Sequence, residues 1–196
     1  MKKIPTLFVR KFENHKVVGI TDEITPGCEE AFKRGRATIK TDGACCAVID
    51  GELYKRYDAK KGKNPPEGAI PCCDPDLVTG HWPHWVKVDK NNPADRWFVE
   101  AYNNYFSHIA VFDGTFEALG PHFNGNPYDL LYDTMHMHGT IEIDVDRDFE
   151  SISDYLNSHR EEGLVFWLDD EPVCKIKRTD FGYEWPIKIK NKGEKK

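Results

Sequence analysis

ATIKTDGACCAVIDGELYKRY, residues 37–57, holds two β-prone runs on either side of Asp50-Gly51. An Asp-Gly pair accepts the positive φ angles of a type I′ turn, so the stretch reads as a β-hairpin. Lys40 then stands at the end of a preceding strand, just before the turn-forming Asp42 and Gly43. A lysine at a strand end beside a glycine turn has a fixed backbone and an open approach.

Working outward, TPGCEEAFKRG (25–35) predicts a short helix with Thr25 as N-cap, Pro26 in the first turn and Gly35 at the end. Residues 59–93 are rich in Pro, Gly, Lys and Asp and read as a long loop or peripheral insertion. ADRWFVEAYNNYF (94–106) places Trp97, Phe98, Ala101 and Tyr105 on one helical face, and IAVFDGTFEALG (109–120) reads as extended structure turning at Asp113-Gly114, with Glu117 in the second arm. TIEIDV (140–145) alternates as a strand does, and DFESISDYLNSHR (148–160) spaces Phe149, Ile152, Tyr155 and Leu156 as an amphipathic helix. EEGLVFWLDDEPVCKIKR (161–178) forms two β runs around an acidic turn. Antiparallel hairpins with interspersed helices and no internal repeat predict an α+β fold in a single domain over residues 1–186, followed by a basic tail at 187–196.

Composition narrows the classes of function. Hydrophobic residues make up 39% and charged residues 31%, the profile of an ordered globule. No apolar run approaches the ~20 residues that span a bilayer, and the N-terminus carries charges where a signal peptide is apolar, so no membrane partner and an intracellular, cytoplasmic location are expected. Four of the six cysteines form the vicinal pairs Cys45/Cys46 and Cys72/Cys73, poor disulfide partners, which fits reduced thiols. The net charge of −6 argues against bulk electrostatic coating of nucleic acid, but local basic clusters occur at 55–63, 175–178 and 187–196.

A lysine is a nucleophile only when neutral, and its free pKa of roughly 10.4 calls for nearby cations or desolvation. Lys175 and Lys177 are two residues apart on a predicted strand, which puts both amines on one face and Cys174 and Ile176 on the other. Two cations on one face suit phosphates; they also suit a solvent-facing edge. A second possible centre, Cys72-Cys73 with His81 and His84, has zinc-type ligands at a spacing that matches no familiar knuckle.

Four motifs occur in order: Lys40-Thr41-Asp42-Gly43, Glu117 within FEALG, Glu162-Gly163-Leu164-Val165-Phe166, and Lys175-Ile176-Lys177. This series resembles the KxDG, strand-glutamate, EGxVF and KxK motifs of the covalent nucleotidyltransferases, the superfamily of ATP-dependent ligases and mRNA capping enzymes. KTDGACC, TGHWPHW (79–85), the tryptophan helix near Trp97 and FEALGPHFNGNPY are similar, more narrowly, to small RNA ligases related to the vertebrate 5′-to-3′ RNA ligase. The resemblance implies a nucleotidyltransferase fold, the ATP-grasp-like adenylation domain of ligases, built of antiparallel sheets flanked by helices. With only a short stretch after Arg178, no OB-fold of the kind that DNA ligases and capping enzymes append is expected.

By the same resemblance Lys40 attacks the α-phosphorus of ATP and carries AMP, while Lys175 and Lys177 stabilise the developing phosphate charge. Glu162 and Glu117 are the implied ligands for Mg2+ or Mn2+, with Glu117 also facing a ribose hydroxyl and Arg56 a ribose or phosphate. Asp42 and Gly43 complete the nucleotide-binding turn, the backbone at Ile39 serves adenine, and Phe123, Tyr128, His136 and His138 are the candidates to stack on the base. The implied substrates are RNA 5′-phosphate and 3′-hydroxyl ends, in a repair role. A GTP-using capping domain and an RNA-binding module without chemistry are the alternatives.

Overall fold

The computed structural model describes residues 3–60, 62–77 and 79–187. Along the chain the strands are β1 (Phe8–Glu13), β2 (Lys16–Ile24), β3 (Arg36–Lys40), β4 (Ala44–Ile49), β5 (Glu52–Ala59), β6 (Ile70–Pro71), β7 (Trp82–Lys87), β8 (Gly114–Leu119), β9 (Thr134–Met137), β10 (Glu142–Ile143), β11 (Gly163–Leu168) and β12 (Glu171–Lys177). The α-helices are α1 (Glu29–Arg34), α2 (Arg96–Tyr105) and α3 (Phe149–Ser158). All named strand pairs are antiparallel, so the architecture is α+β. The chain divides into two compact units, one formed largely by Asp42–His138 and the other by Ile4–Thr41 with the chain from Gly139 onward. The basic tail expected at 187–196 lies, after Ile187, outside the described residues.

The unit containing Asp42–His138 is built on a six-stranded sheet in the order β6-β7-β5-β4-β8-β9. Its central hairpin, β4/β5, closes through Asp50 (φ 52°) and Gly51 (φ 75°), the type I′ geometry expected from the Asp-Gly pair. The Asp113 carboxylate fastens this turn by accepting hydrogen bonds from the Asp50 and Gly51 amides at 2.9 and 3.0 Å. One sheet face carries Cys46, Val48, Leu53, Phe116, Ala118 and Met135, which pack with Ala101, Trp97 and Phe98 of α2. The region expected to be a loop, 59–93, contains β6 and β7, and β7 pairs with β5 over six residues from Tyr54↔Lys87 to Ala59↔Trp82. Pro83 within the strand and Gly80 before it hide the strand in the sequence; burial of His84 and Trp85 and pairing to β5 supply what local propensity does not. Conversely, residues 108–113 form no strand, since extended structure begins only at Gly114.

The other unit has a four-stranded sheet in the order β10-β3-β11-β12 and the separate β1/β2 hairpin. Beyond β12, the N-terminal segment covers the sheet edge: the Leu7 amide donates to the Lys175 carbonyl at 2.7 Å and the Lys175 amide to the Pro5 carbonyl at 3.0 Å. The β11/β12 turn consists of Asp169 (φ 49°) and Asp170 (φ 62°), again two left-handed residues in a two-residue hairpin. One face of this sheet, with Ala37, Leu164, Phe166, Cys174 and Ile176, packs with Phe8, Phe32, Ile152 and Leu156. Helix α1 begins at Glu29 rather than after Thr25, because Gly27 takes φ 89° and breaks the run that Pro26 was expected to start. Helix α3 is capped by Asp148, whose carboxylate accepts from the Ser151 amide at 2.8 Å. The strand expected at TIEIDV is only the two residues of β10.

Candidate active site

In the unit with β3, β11 and β12, cross-strand register sets a row of residues. Lys40 is opposite Gly163, and Gly163 is opposite Lys177; one step along, Thr38 faces Val165 and Val165 faces Lys175. Strand alternation puts Cys174 and Ile176 in the core, so Lys175 and Lys177 project from the other face, as the two-residue spacing predicts. Lys40 and Thr38 share that face because Ala37 points into the core.

Glu162, the residue just before β11, lies between the two lysine-bearing strands. One carboxylate oxygen, Oε2, accepts from Lys40 Nζ and the other, Oε1, accepts from Lys177 Nζ. The residue is 4% exposed, whereas the Lys40 and Lys177 side chains are 18% and 33% exposed. A carboxylate this buried is tolerable only because cations occupy both oxygens. Its backbone is anchored as well, the Glu162 carbonyl accepting from the Arg178 amide at 2.9 Å. Gly163 lets the strands come together: a Cβ there would sit 2.1 Å from the Ile176 carbonyl oxygen.

Two further side chains on this face carried no signal in the motif series. The Trp167 indole donates to Thr38 Oγ1 at 2.7 Å, and the Arg36 guanidinium lies 4.8 Å from the Trp167 ring centroid. Alternation along ATIK was the available clue, since it places Thr38 with Lys40. At Ile39 the backbone amide is already engaged, donating to the Ile141 carbonyl at 2.9 Å.

The remaining expected site residues lie in the unit containing Asp42–His138. Cys45 is the direct cross-strand partner of Glu117, and continuing the β4/β5 register places Cys45 opposite Arg56, whose guanidinium hydrogen-bonds its thiol. Arg56 also donates through Nε to Asp58 Oδ1 at 2.8 Å. Glu117 Oε1 is 3.2 Å from His138 Nε2, and Glu117 Oε2 is buried with no hydrogen-bond partner among the described residues. Burial pushes the Cys45 thiol up to about 12, with the Glu117 carboxylate adding to the effect and Arg56 opposing it. Burial, reinforced by neighbouring His138, lowers the pKa of His136.

Asp42 and Gly43 are held by structure: Asn124 Nδ2 donates to Asp42 Oδ1 at 2.8 Å and to the Gly43 carbonyl at 2.7 Å, while the Asp42 amide donates to the Tyr128 hydroxyl at 2.8 Å. Glycine at 43 answers a close approach to β8, for a Cβ would lie 2.3 Å from the Ala118 carbonyl oxygen. Of the base-stacking candidates, Phe123 is in the core against Phe98, with ring centroids 5.2 Å apart. The Cys72/Cys73/His81/His84 group does not assemble into a ligand set among the described residues: His81 meets Asp58, and buried His84 turns Nδ1 to the Trp82 carbonyl at 2.9 Å. The one grouping of metal-type donors found among them is Cys45, Glu117 and His138.

The β3/β11/β12 centre thus brings together amines on both flanking strands, a buried carboxylate between them, and a glycine at the point where the strands approach closely. No protein-family model matches the chain. It is similar to RNA ligase 1 of Danio rerio, 27% identical over 140 residues, covering 55% of this chain and 43% of that protein. It is also similar to RNA ligase 1 of Pongo abelii, 25% identical over 224 residues, covering 76% of this chain and 68% of that protein. The chain is therefore a distant relative of vertebrate proteins named as RNA ligases and spans less than half of the zebrafish one. No helix among the described residues is long and apolar enough to cross a membrane.

Proposed function

We propose that the chain is an ATP-dependent RNA ligase in which Lys40 carries AMP. The observation that carries this reading is the convergence of Lys40 and Lys177 on the buried Glu162 carboxylate, three residues from three separate motifs in one place. The relatives' name supports RNA as the substrate.

In this reading the Lys40 amine, freed of its proton, attacks the α-phosphorus of ATP; the bond from that phosphorus to the bridging oxygen breaks and pyrophosphate leaves. Lys177, with Lys175 on the same face, offsets the negative charge that grows on the α-phosphate oxygens. A 5′-phosphate oxygen of RNA then displaces Lys40 from AMP, and the amine regains a proton. Finally the RNA 3′-hydroxyl attacks the activated 5′-phosphorus, forms the phosphodiester and expels AMP. Contacts of Arg56 and Glu117 to ribose or phosphate rest on the family resemblance alone.

A hard divalent ion, Mg2+ or Mn2+, fits Glu162 as a single oxygen-donor carboxylate that leaves most positions to water and phosphate oxygens. When bound there it would supply charge neutralisation on the triphosphate. In the structure both Glu162 oxygens are held by amines, Oε2 by Lys40 and Oε1 by Lys177. Glu117 fits a hard ion less well, since its neighbours are a thiol and an imidazole.

The reading is tested by incubating the protein with ATP, Mg2+ and a nicked or open-loop RNA bearing a 5′-phosphate and a 3′-hydroxyl. A joined strand is expected. RNA with a 5′-hydroxyl should remain unjoined; joining of that RNA, or none of the first, would refute the proposal.

A further inference from the structure

In the Asp42–His138 unit, the sheet face opposite the α2 core gathers Cys45 on β4, Glu117 on β8 and His138 just beyond β9. One donor atom from each lies within 4.8 Å of the others: a sulfur, an oxygen and a nitrogen. From this arrangement we propose that Cys45, Glu117 and His138 form a binding site for a thiophilic divalent transition ion of the zinc class.

Three features point to a cation. Glu117 Oε2 is a buried carboxylate oxygen without a hydrogen-bond partner among the described residues, a costly state that a bound cation relieves. His138 is already oriented: its Nδ1 is 2.9 Å from Thr115 Oγ1, so that Nδ1 can donate to the hydroxyl and leave the Nε2 lone pair turned toward Glu117. Such a hydrogen bond from the far ring nitrogen is how ligating histidines are usually held. Third, the donor set is the mixed sulfur, nitrogen and oxygen set that selects zinc-class ions over magnesium, and three protein ligands leave one position of a tetrahedron open.

Binding has a definite proton balance. The Cys45 thiol surrenders its proton to solvent and binds as thiolate, and His138 binds neutral through Nε2. The charged and titratable groups around the sulfur are Glu117, Arg56 and His138, and His136 is the cross-strand partner of Glu117 on β9. No step assigned to Lys40 uses this ion, and Glu117 is the one residue on which both proposals draw.

The test is equilibrium dialysis of the chelator-treated chain against Zn2+, with elemental analysis, and titration with Co2+ followed by absorption. One tightly held zinc per chain is expected, together with a thiolate-to-cobalt charge-transfer band. Cys45→Ala and His138→Ala should lose the ion, and Thr115→Val should weaken binding by about tenfold, the low end for a residue that orients a ligand. Lys40→Ala and the paired Cys72→Ala/Cys73→Ala variant should retain it. Because a variant can fail by misfolding, the cobalt band of the unmutated chain is the variant-free readout. Substoichiometric zinc, cobalt uptake without the thiolate band, or loss of zinc in the Cys72/Cys73 variant would each overturn the proposal.

Discussion

Lys40 and Lys177 stand on the two strands that flank Gly163 and meet on the two oxygens of one Glu162 carboxylate. Each amine holds the other's counter-ion in place. Removing the carboxylate therefore leaves two facing cations, whereas removing one amine leaves an ion pair.

Glu162→Gln is expected to destabilise the chain by about 1–3 kcal/mol, the cost of losing charged partners at a buried site. Lys177→Ala should cost less, because its amine is the more exposed of the two and better screened. Urea unfolding midpoints of the two variants check the order; an equal or reversed order would mean that Glu162 is not the shared partner.

Gly163→Ala places a methyl carbon 2.1 Å from the Ile176 carbonyl oxygen and 2.9 Å from Lys177 Cα, so β11 and β12 must part where Lys177 is positioned. A loss of about 2–4 kcal/mol is expected, in the range of severe overpacking. Gly51→Ala, which meets no atom but keeps φ 75°, should cost only about 1 kcal/mol through backbone strain. Thermal or denaturant melts of both variants provide the comparison.

Alkaline pH gives a third check, in chelator-treated protein. The Cys45 thiol stays neutral in the fold up to about 12, against an ordinary value of 9.0, so above pH 9 the unfolded chain releases a proton that the folded chain keeps. The raised folded value means that stability is fully present below about pH 9 and declines as the pH climbs toward 12. Melting midpoints over that window should fall less steeply in Cys45→Ala. An unchanged slope would place the thiol in water.

Much of this was legible in the residues themselves. The Asp50-Gly51 turn, the α2 and α3 faces, the β11/β12 hairpin and the shared face of Lys175 and Lys177 follow from local turn chemistry and periodicity, which act over a few residues. The strand β7 was not legible, because Pro83 within it and Gly80 just before it argue against a strand and only pairing with β5 makes one. Helix α1 was set too early, since nothing in TPG announces the positive φ of Gly27. The gathering of Cys45, Glu117 and His138 depends on the order of strands in a sheet, which no motif records. Cys45 reads in sequence only as half of a vicinal pair.

The most direct measurement is to incubate the protein with α-labelled ATP and Mg2+, resolve it under denaturing conditions and map the labelled peptide. Lys40→Arg, which retains a cation for Glu162 but cannot supply the neutral amine, separates the nucleophile from the ion pair. The expected result is an acid-labile label on the peptide containing Lys40, absent in Lys40→Arg and discharged by RNA with a 5′-phosphate. Label on another residue, label that persists in Lys40→Arg, or label from GTP and not from ATP would contradict the assignment.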